Sequence, residues 1–227
     1  MIPVITVDGP SGTGKGTISQ ILAKQLGWHY LDSGAIYRVL AWTAIQQQVS
    51  FEDETQLVCL AQQLAVKFIV TAAGIEGSIL CGDEDVTAAI RIPEVSQASS
   101  IISAKPLVRK ALMARQRAFQ QAPGLVTDGR DMGTIIFPDA TLKIFMTADP
   151  VERANRRYNE LKSKGIDVNL PTVLEALTKR DTRDEERTTA PLKPAADAVM
   201  IDTTSLGIEE TFQLVWQQVV ARDLVSC

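Results

Sequence analysis

"DGPSGTGKGT", residues 8–17, carries four glycines in ten residues and a single lysine, Lys15. The apolar run 2–7 precedes it, and helical spacing follows it, with Ile18, Ile21 and Leu22 on one face. Residues 9–15 satisfy G-x-x-x-x-G-K in the strand–turn–helix setting that this pattern requires. Glycines permit a tight turn that aims several backbone N–H groups inward. The helix N-terminus adds partial positive charge. The expectation is a triphosphate cradle made by Gly9, Pro10, Ser11, Gly12, Thr13, Gly14, Lys15, Gly16 and Thr17, with Lys15 reaching the β and γ phosphates. The dinucleotide fingerprint G-x-G-x-x-G fails, because Thr17 stands where its third glycine belongs. The residue after Lys15 is Gly16, and the hydroxyl comes only at Thr17. Mg²⁺ is therefore expected to be held mainly by waters and phosphate oxygens, with no tight protein site.

Outward from this loop, apolar strands alternate with helical segments, which predicts an α/β fold with a mostly parallel sheet and flanking helices, a P-loop NTPase. Expected strands are 2–7, 28–31, 125–127, 142–146 and 199–202. Expected helices are 15–25, 34–47, 95–121 with a break at Pro106, 150–164, 171–187 and 208–222, with a loop over 165–170. Ser33 is expected to cap the second helix. Residues 62–93 change character. Two short strands, 66–70 and 78–81, around a turn at Ala73-Gly74-Ile75 predict a small β insertion.

A small-molecule kinase, a GTPase-type switch and an ATP-driven motor or transporter subunit all carry such a loop. No Asn-Lys-x-Asp guanine reader and no partner-contact signature are present, and the arginine distribution favours a kinase, whose site must hold two anions together. Four segments supply candidates. "LDSGAIYR" (31–38) offers Ser33 and Arg38. "SSIISAKPLVRKAL" (99–112) offers Ser100 and Arg109. "TDGRDMG" (127–133) ends a strand, where ligands gather in open α/β sheets, and offers Asp128, Arg130 and Asp131. Asp128 is placed like a carboxylate that orients waters on Mg²⁺. "KRDTRDEERTTAPL" (179–192) places Arg180, Asp184 and Arg187 on one helix face, with Arg183 beside them. Arg153, Arg156 and Arg157 make a similar face one helix earlier. Together the two helices suggest a lid that closes over phosphates and excludes water.

The bulk numbers narrow the class. A net charge of −4 gives no nucleic-acid coat. With 45% apolar and 22% charged residues and no long apolar run, the chain is expected to be soluble, without a membrane span. The N-terminus carries no export signal pattern. Cys59, Cys81 and Cys227 are too far apart for a metal pair and are expected to be two buried thiols and a loose terminal one, which with the rest predicts a cytoplasmic place. His29 is the only histidine and is expected to be structural within a buried strand.

In order along nearly the whole chain, "DGPSGTGKGT", "LDSGAIYR", "DGRDMGT" with "FPDA" after it, and "RDTRDEERTTAPLKPA" resemble the bacterial cytidylate kinases. "DSGAIYR" and "DGRDMGT" together are far more specific than the loop. The resemblance implies transfer of the γ-phosphoryl group of ATP to CMP or dCMP, with Mg²⁺, by a monomer. It implies a CORE of about 1–32, 101–150 and 188–227, a nucleoside-monophosphate-binding region of about 33–100, and a lid of about 151–187. Ser100, Arg109 and Asp131 would read cytosine. Arg38 and Arg130 would hold the CMP phosphate with Arg187 nearby, Ser33 would lie in the same pocket, and Arg180 and Asp184 would contact the sugar. Lys15, Arg130, Arg180 and Arg187 are the implied catalytic set, with Thr17 and Asp128 reaching Mg²⁺ through water. An adenylate- or uridylate-type kinase, a kinase of a non-nucleotide metabolite, and a non-catalytic nucleotide-binding regulator stay open beside this reading.

Overall fold

A computed structural model describes residues 2–69 and 78–225. Five strands, β1 (Val4–Asp8), β2 (His29–Asp32), β6 (Leu125–Gly129), β7 (Leu142–Thr147) and β8 (Val199–Asp202), form one sheet in the order β2-β6-β1-β7-β8. Every pairing in it is parallel. β1, at the centre, is buried along its whole length, which is why residues 4–7 read as an unbroken apolar run save for Thr6.

Helices cover both faces. α1 (Lys15–Leu26) and α8 (Ile208–Val220) enclose one core, in which Ile5, Val7 and Leu22 meet Ile144, Val215 and Val219. α2 (Ser33–Gln46), α3 (Glu54–Gln63), α4 (Pro93–Ile102) and α5 (Pro106–Arg117) pack over a larger core around Leu31, Ile36, Leu40, Leu57, Ile102 and Leu112. A small antiparallel sheet, β3 (Val66–Ile69), β4 (Ser78–Cys81) and β5 (Glu84–Asp85), joins this second core through Val66 and Ile79. α6 (Pro150–Ser163) and α7 (Leu170–Glu186) share a separate apolar cluster of Ala154, Leu161, Val173 and Leu177.

Some expectations are corrected. The residue capping α2 is Asp32, whose carboxylate accepts from the Ala35 N–H at 2.8 Å, and Ser33 is already helical. His29 is exposed, because β2 is an edge strand, and its ring lies 2.9 Å from the Ala122 carbonyl. Cys59 is exposed and Cys81 half-buried, so neither is a buried thiol. Val70, the turn Ala73-Gly74-Ile75 and Cys227 lie outside the described residues. α3 and β5 had no counterpart in the sequence reading.

Candidate active site

The loop after β1 is shaped by what lies against it. A Cβ on Gly9 would fall 2.1 Å from the Met146 carbonyl oxygen of β7, so the backbone crosses the sheet end only without a side chain. Gly12 has φ +83°, and a Cβ there would come within 2.9 Å of the Arg153 Cβ. Lys15 folds back over the loop, its Nζ donating to the Pro10 carbonyl at 3.1 Å, with the Thr13 hydroxyl donating to the same oxygen at 3.2 Å. Burial, and then the Arg130 guanidinium, pull the Lys15 ammonium well below the usual lysine range, against Asp128.

Three carboxylates stand at the carboxyl ends of adjacent strands. Register places Asp32 beside Asp128 and Asp8 beside Gly129. Asp8 accepts from the Met132 and Gly133 N–H groups at 2.9 and 2.8 Å, fixing the turn that carries Arg130 and Asp131. Burial pushes its carboxyl up to about 7. Asp128 accepts from the Tyr30 hydroxyl at 2.6 Å. Burial raises its carboxyl, with the Asp32 charge adding to the effect. Asp32 in turn holds Arg38 at 2.6 Å.

These ends open into a pocket of ≈ 190 Å³ that gathers Lys15, Ser33, Tyr37, Arg38, Arg109, Asp128, Arg130, Asp131, Arg180, Asp184 and Arg187. Arg130 Nε donates to Asp184 at 2.8 Å. Arg109 and Asp131 form a buried pair, and the Arg109 guanidinium lies 5.5 Å from the centroid of the Tyr37 ring. Arg187, just past the end of α7, sits 3.8 Å from both Asp131 and Asp184. Burial works to raise the Asp184 carboxyl, but Arg130, Arg180 and Arg187 hold it below its ordinary value. Arg180 is pushed down to about 10 by burial and by Arg130. Arg38 Nε and Arg180 Nε are buried and make no hydrogen bond. Crowded guanidinium groups with unmatched N–H bonds are what an incoming anion satisfies.

A second, larger cleft of ≈ 1040 Å³ runs along the other side of the loop, past Gly12, Thr13, Gly14 and Thr17 to Arg156, Arg157 and Gly207. Ser11, Arg38 and Arg180 line both spaces, so cleft and pocket meet across the phosphate loop. Gly16 faces the pocket and Thr17 the cleft.

Two groups of expected residues stand apart from the rest. Ser100 lines the larger cleft and not the pocket, and its hydroxyl accepts from Arg183 Nη1 at 2.6 Å. Ser99 and Ser103 stand in the pocket wall instead. Of the three arginines of α6, Arg153 lies buried under the loop, donating to the Ser11 carbonyl at 3.0 Å, to Ala148 at 3.0 Å and to Asp181 at 2.6 Å. Arg156 donates to the Thr203 carbonyl at 2.6 Å, and Arg157 pairs with Glu160.

Asp8, Tyr30, Asp32, Tyr37 and Gln116 escaped the sequence reading. Gln116 alone had a local signal, since it occupies the buried stripe Val108, Leu112, Gln116 of α5. Tyr30 is a polar residue inside a strand, Asp8, Asp32 and Tyr37 stand within the quoted motifs without a local sign of their role, and only the three-dimensional fold shows that they converge.

A family model described as cytidylate kinase matches residues 5–221. The chain is similar to cytidylate kinases of Shewanella denitrificans, at 54% identity over 96% of each chain, and of Stutzerimonas stutzeri, at 53% over 99% of this chain and 98% of the relative. Among solved structures, a gluconokinase from Sinorhizobium meliloti superposes with a TM-score of 0.50 at 11% identity, covering 98% of this chain and 95% of that one, a likeness of fold alone. With a phosphate loop, a cation-lined pocket facing it and this match along the sequence, the chain belongs to the cytidylate kinase family.

Proposed function

We infer that the chain transfers the γ-phosphoryl group of ATP to CMP or dCMP, giving ADP and CDP or dCDP. One observation carries the reading: the phosphate loop lies between a long cleft and a small cationic pocket that meet at Ser11, Arg38 and Arg180. ATP lies in the cleft, its phosphates on residues 9–17 and its base toward Arg157 and the segment after Thr203. The nucleoside monophosphate lies in the pocket. A phosphate oxygen of CMP forms the new P–O bond to the γ-phosphorus, the bond to the β-bridging oxygen breaks, and ADP leaves. The protein's part is positioning and charge. Lys15, Arg130, Arg180 and Arg187 neutralise the transferring group, Arg38 and Arg130 orient the acceptor phosphate, and Asp184 with Arg180 faces the sugar.

Cytosine is read by the Arg109–Asp131 pair. The Asp131 carboxylate accepts from the exocyclic amine, whereas uracil offers a carbonyl there, so UMP is the weaker acceptor. Ser100 belongs to this group on family resemblance, although its hydroxyl stands with Arg183 on the larger cleft.

Mg²⁺ fits the residues present. No group of three His, Cys, Asp or Glu residues among the described residues forms a protein cage. Asp128, paired in register with Asp32, is a buried carboxylate that a cation relieves. Asp128 from the pocket and Thr17 from the cleft would hold such an ion through water, and it would supply charge neutralisation for the transferring phosphates.

We further propose the CORE, monophosphate-binding region and lid with the boundaries given above, a monomeric state and a cytoplasmic place. No helix among the described residues is long and apolar enough to cross a membrane. A coupled ADP-release assay with ATP against CMP, dCMP, UMP, AMP and shikimate tests the function. Turnover with CMP and dCMP above the others is expected, lost in Lys15→Ala. ADP release with none of them overturns catalysis in favour of a nucleotide-binding regulator.

A further inference from the structure

Gln116 does not line the pocket, yet its carboxamide is completely buried behind it. Ser33, on α2 and in the pocket wall, donates its hydroxyl proton to Gln116 Oε1 at 2.8 Å. A serine hydroxyl has one proton and two lone pairs. With the proton committed to Gln116, Ser33 faces the pocket with lone pairs only. Such a group meets a donor and repels an acceptor. On a pyrimidine monophosphate the donors are the exocyclic amine of cytosine, the N3–H of uracil, which stands one ring position away from that amine, and the sugar hydroxyls. The phosphate oxygens and the uracil carbonyls are acceptors.

Stability does not account for a glutamine here. Its neighbours on the α5 stripe, Val108 and Leu112, are apolar. The buried Gln116 amide N–H reaches no partner but the buried Tyr37 hydroxyl. An apolar side chain of the same length would avoid burying an amide whose N–H is so sparsely matched. What it could not do is hold the Ser33 proton.

We propose that Gln116 is a positioning residue of the acceptor pocket, which fixes the Ser33 hydroxyl as a hydrogen-bond acceptor and thereby selects nucleotides that present an N–H or O–H donor to it. This rests on the reading that the pocket takes CMP.

The test compares the full-length wild type, Gln116→Leu, Ser33→Ala and the double variant with CMP, dCMP and UMP at saturating ATP. In Gln116→Leu the hydroxyl is free to rotate. The KM for CMP rises roughly tenfold, the weight of one hydrogen bond, while kcat at saturating CMP and the KM for ATP stay within about twofold of wild type. If the donor is the amine, the CMP:UMP ratio of kcat/KM falls by a similar factor. If it is the sugar hydroxyl, the CMP:dCMP ratio falls instead. In the Ser33→Ala background, Gln116→Leu adds less than about a twofold change, because the residue acts through Ser33. Gln116→Met, which also lacks the acceptor, is expected to match Gln116→Leu and serves if that variant does not fold. An unchanged CMP KM with both ratios intact, or a full effect that persists without Ser33, overturns the proposal. Wild type that does not phosphorylate CMP overturns the reading beneath it, and wild type that does so while Gln116→Leu behaves identically overturns this proposal alone.

Discussion

Arg153→Ala removes three hydrogen bonds at a single stroke, one of them an ion pair. The guanidinium is 6% exposed and its partner Asp181 12%, at 2.6 Å. Asp181 Oδ1 already makes no hydrogen bond, so without Arg153 the carboxylate is left buried with only the unbonded charges of Arg130 and Arg180 to offset it. The Ser11 and Ala148 carbonyls lose donors as well. Breaking one side of a buried pair costs about 3–5 kcal/mol. For a chain of this size each kcal/mol moves Tm by about 2–4 °C, so the expected loss is roughly 6–20 °C. Urea unfolding followed by circular dichroism gives the same quantity as a shift in midpoint at unchanged slope. Because Ser11 belongs to the phosphate loop, the KM for ATP should rise while the KM for CMP moves less. Arg153→Lys keeps the charge but cannot span all three acceptors, and should fall between alanine and wild type. A loss below about 1 kcal/mol, the size of an exposed pair, would refute the placement of Arg153 under the loop.

Asp131→Ala leaves Arg109 buried without its carboxylate. The KM for CMP is expected to rise far more than that for ATP, and a selective rise in the ATP value would remove Asp131 from base reading. In the proposed reaction Lys15 acts on ATP as an ammonium, and burial lowers its pKa in the free protein from the ordinary 10.5. The kcat/KM for ATP, which reports the free enzyme, should therefore fall as pH rises between neutrality and 10.5, and a flat profile across that window contradicts the burial of Lys15. The Asp8 carboxyl is raised to about 7 from 3.8. The native state thus holds that proton more tightly than the unfolded chain. The resulting stability is complete below about pH 4 and gone above about pH 7, a span worth roughly 4 kcal/mol. Wild type measured against Asp8→Asn should lose ground across that range, and a constant difference rules out the shift.

The strong elements were legible because their periodicity was unambiguous. β1, β6 and β7 are apolar runs bounded by turn residues, and α1 and α8 carry clear apolar faces. α3 was not, since it buries only Leu57 and Ala61 on the described face and leaves Cys59 in water. Asp32 and Ser33 are both good capping residues, and only the backbone at Asp32, extended at ψ 98°, decides between them. Spacing put Arg153, Arg156 and Arg157 on one helix face. What each one touches depends on the phosphate loop, Thr203 and α7, which come from distant parts of the chain. The motifs located the pocket, while the support behind it, Asp8 under the Arg130 turn and Gln116 behind Ser33, depends on long-range pairing that no local pattern encodes.

The four-residue apolar cluster between α6 and α7 also bears on how the protein fails when warmed. Ala154, Leu161, Val173 and Leu177 form a core of their own, apart from the two that hold the sheet. So small a nucleus opens at a lower free energy than the sheet does. Amides of 150–186 should exchange with deuterated solvent sooner than those of β1 and β6. Catalytic output should decay on heating before the sheet's ellipticity does, and nucleotide bound across Arg180 should draw the two transitions together.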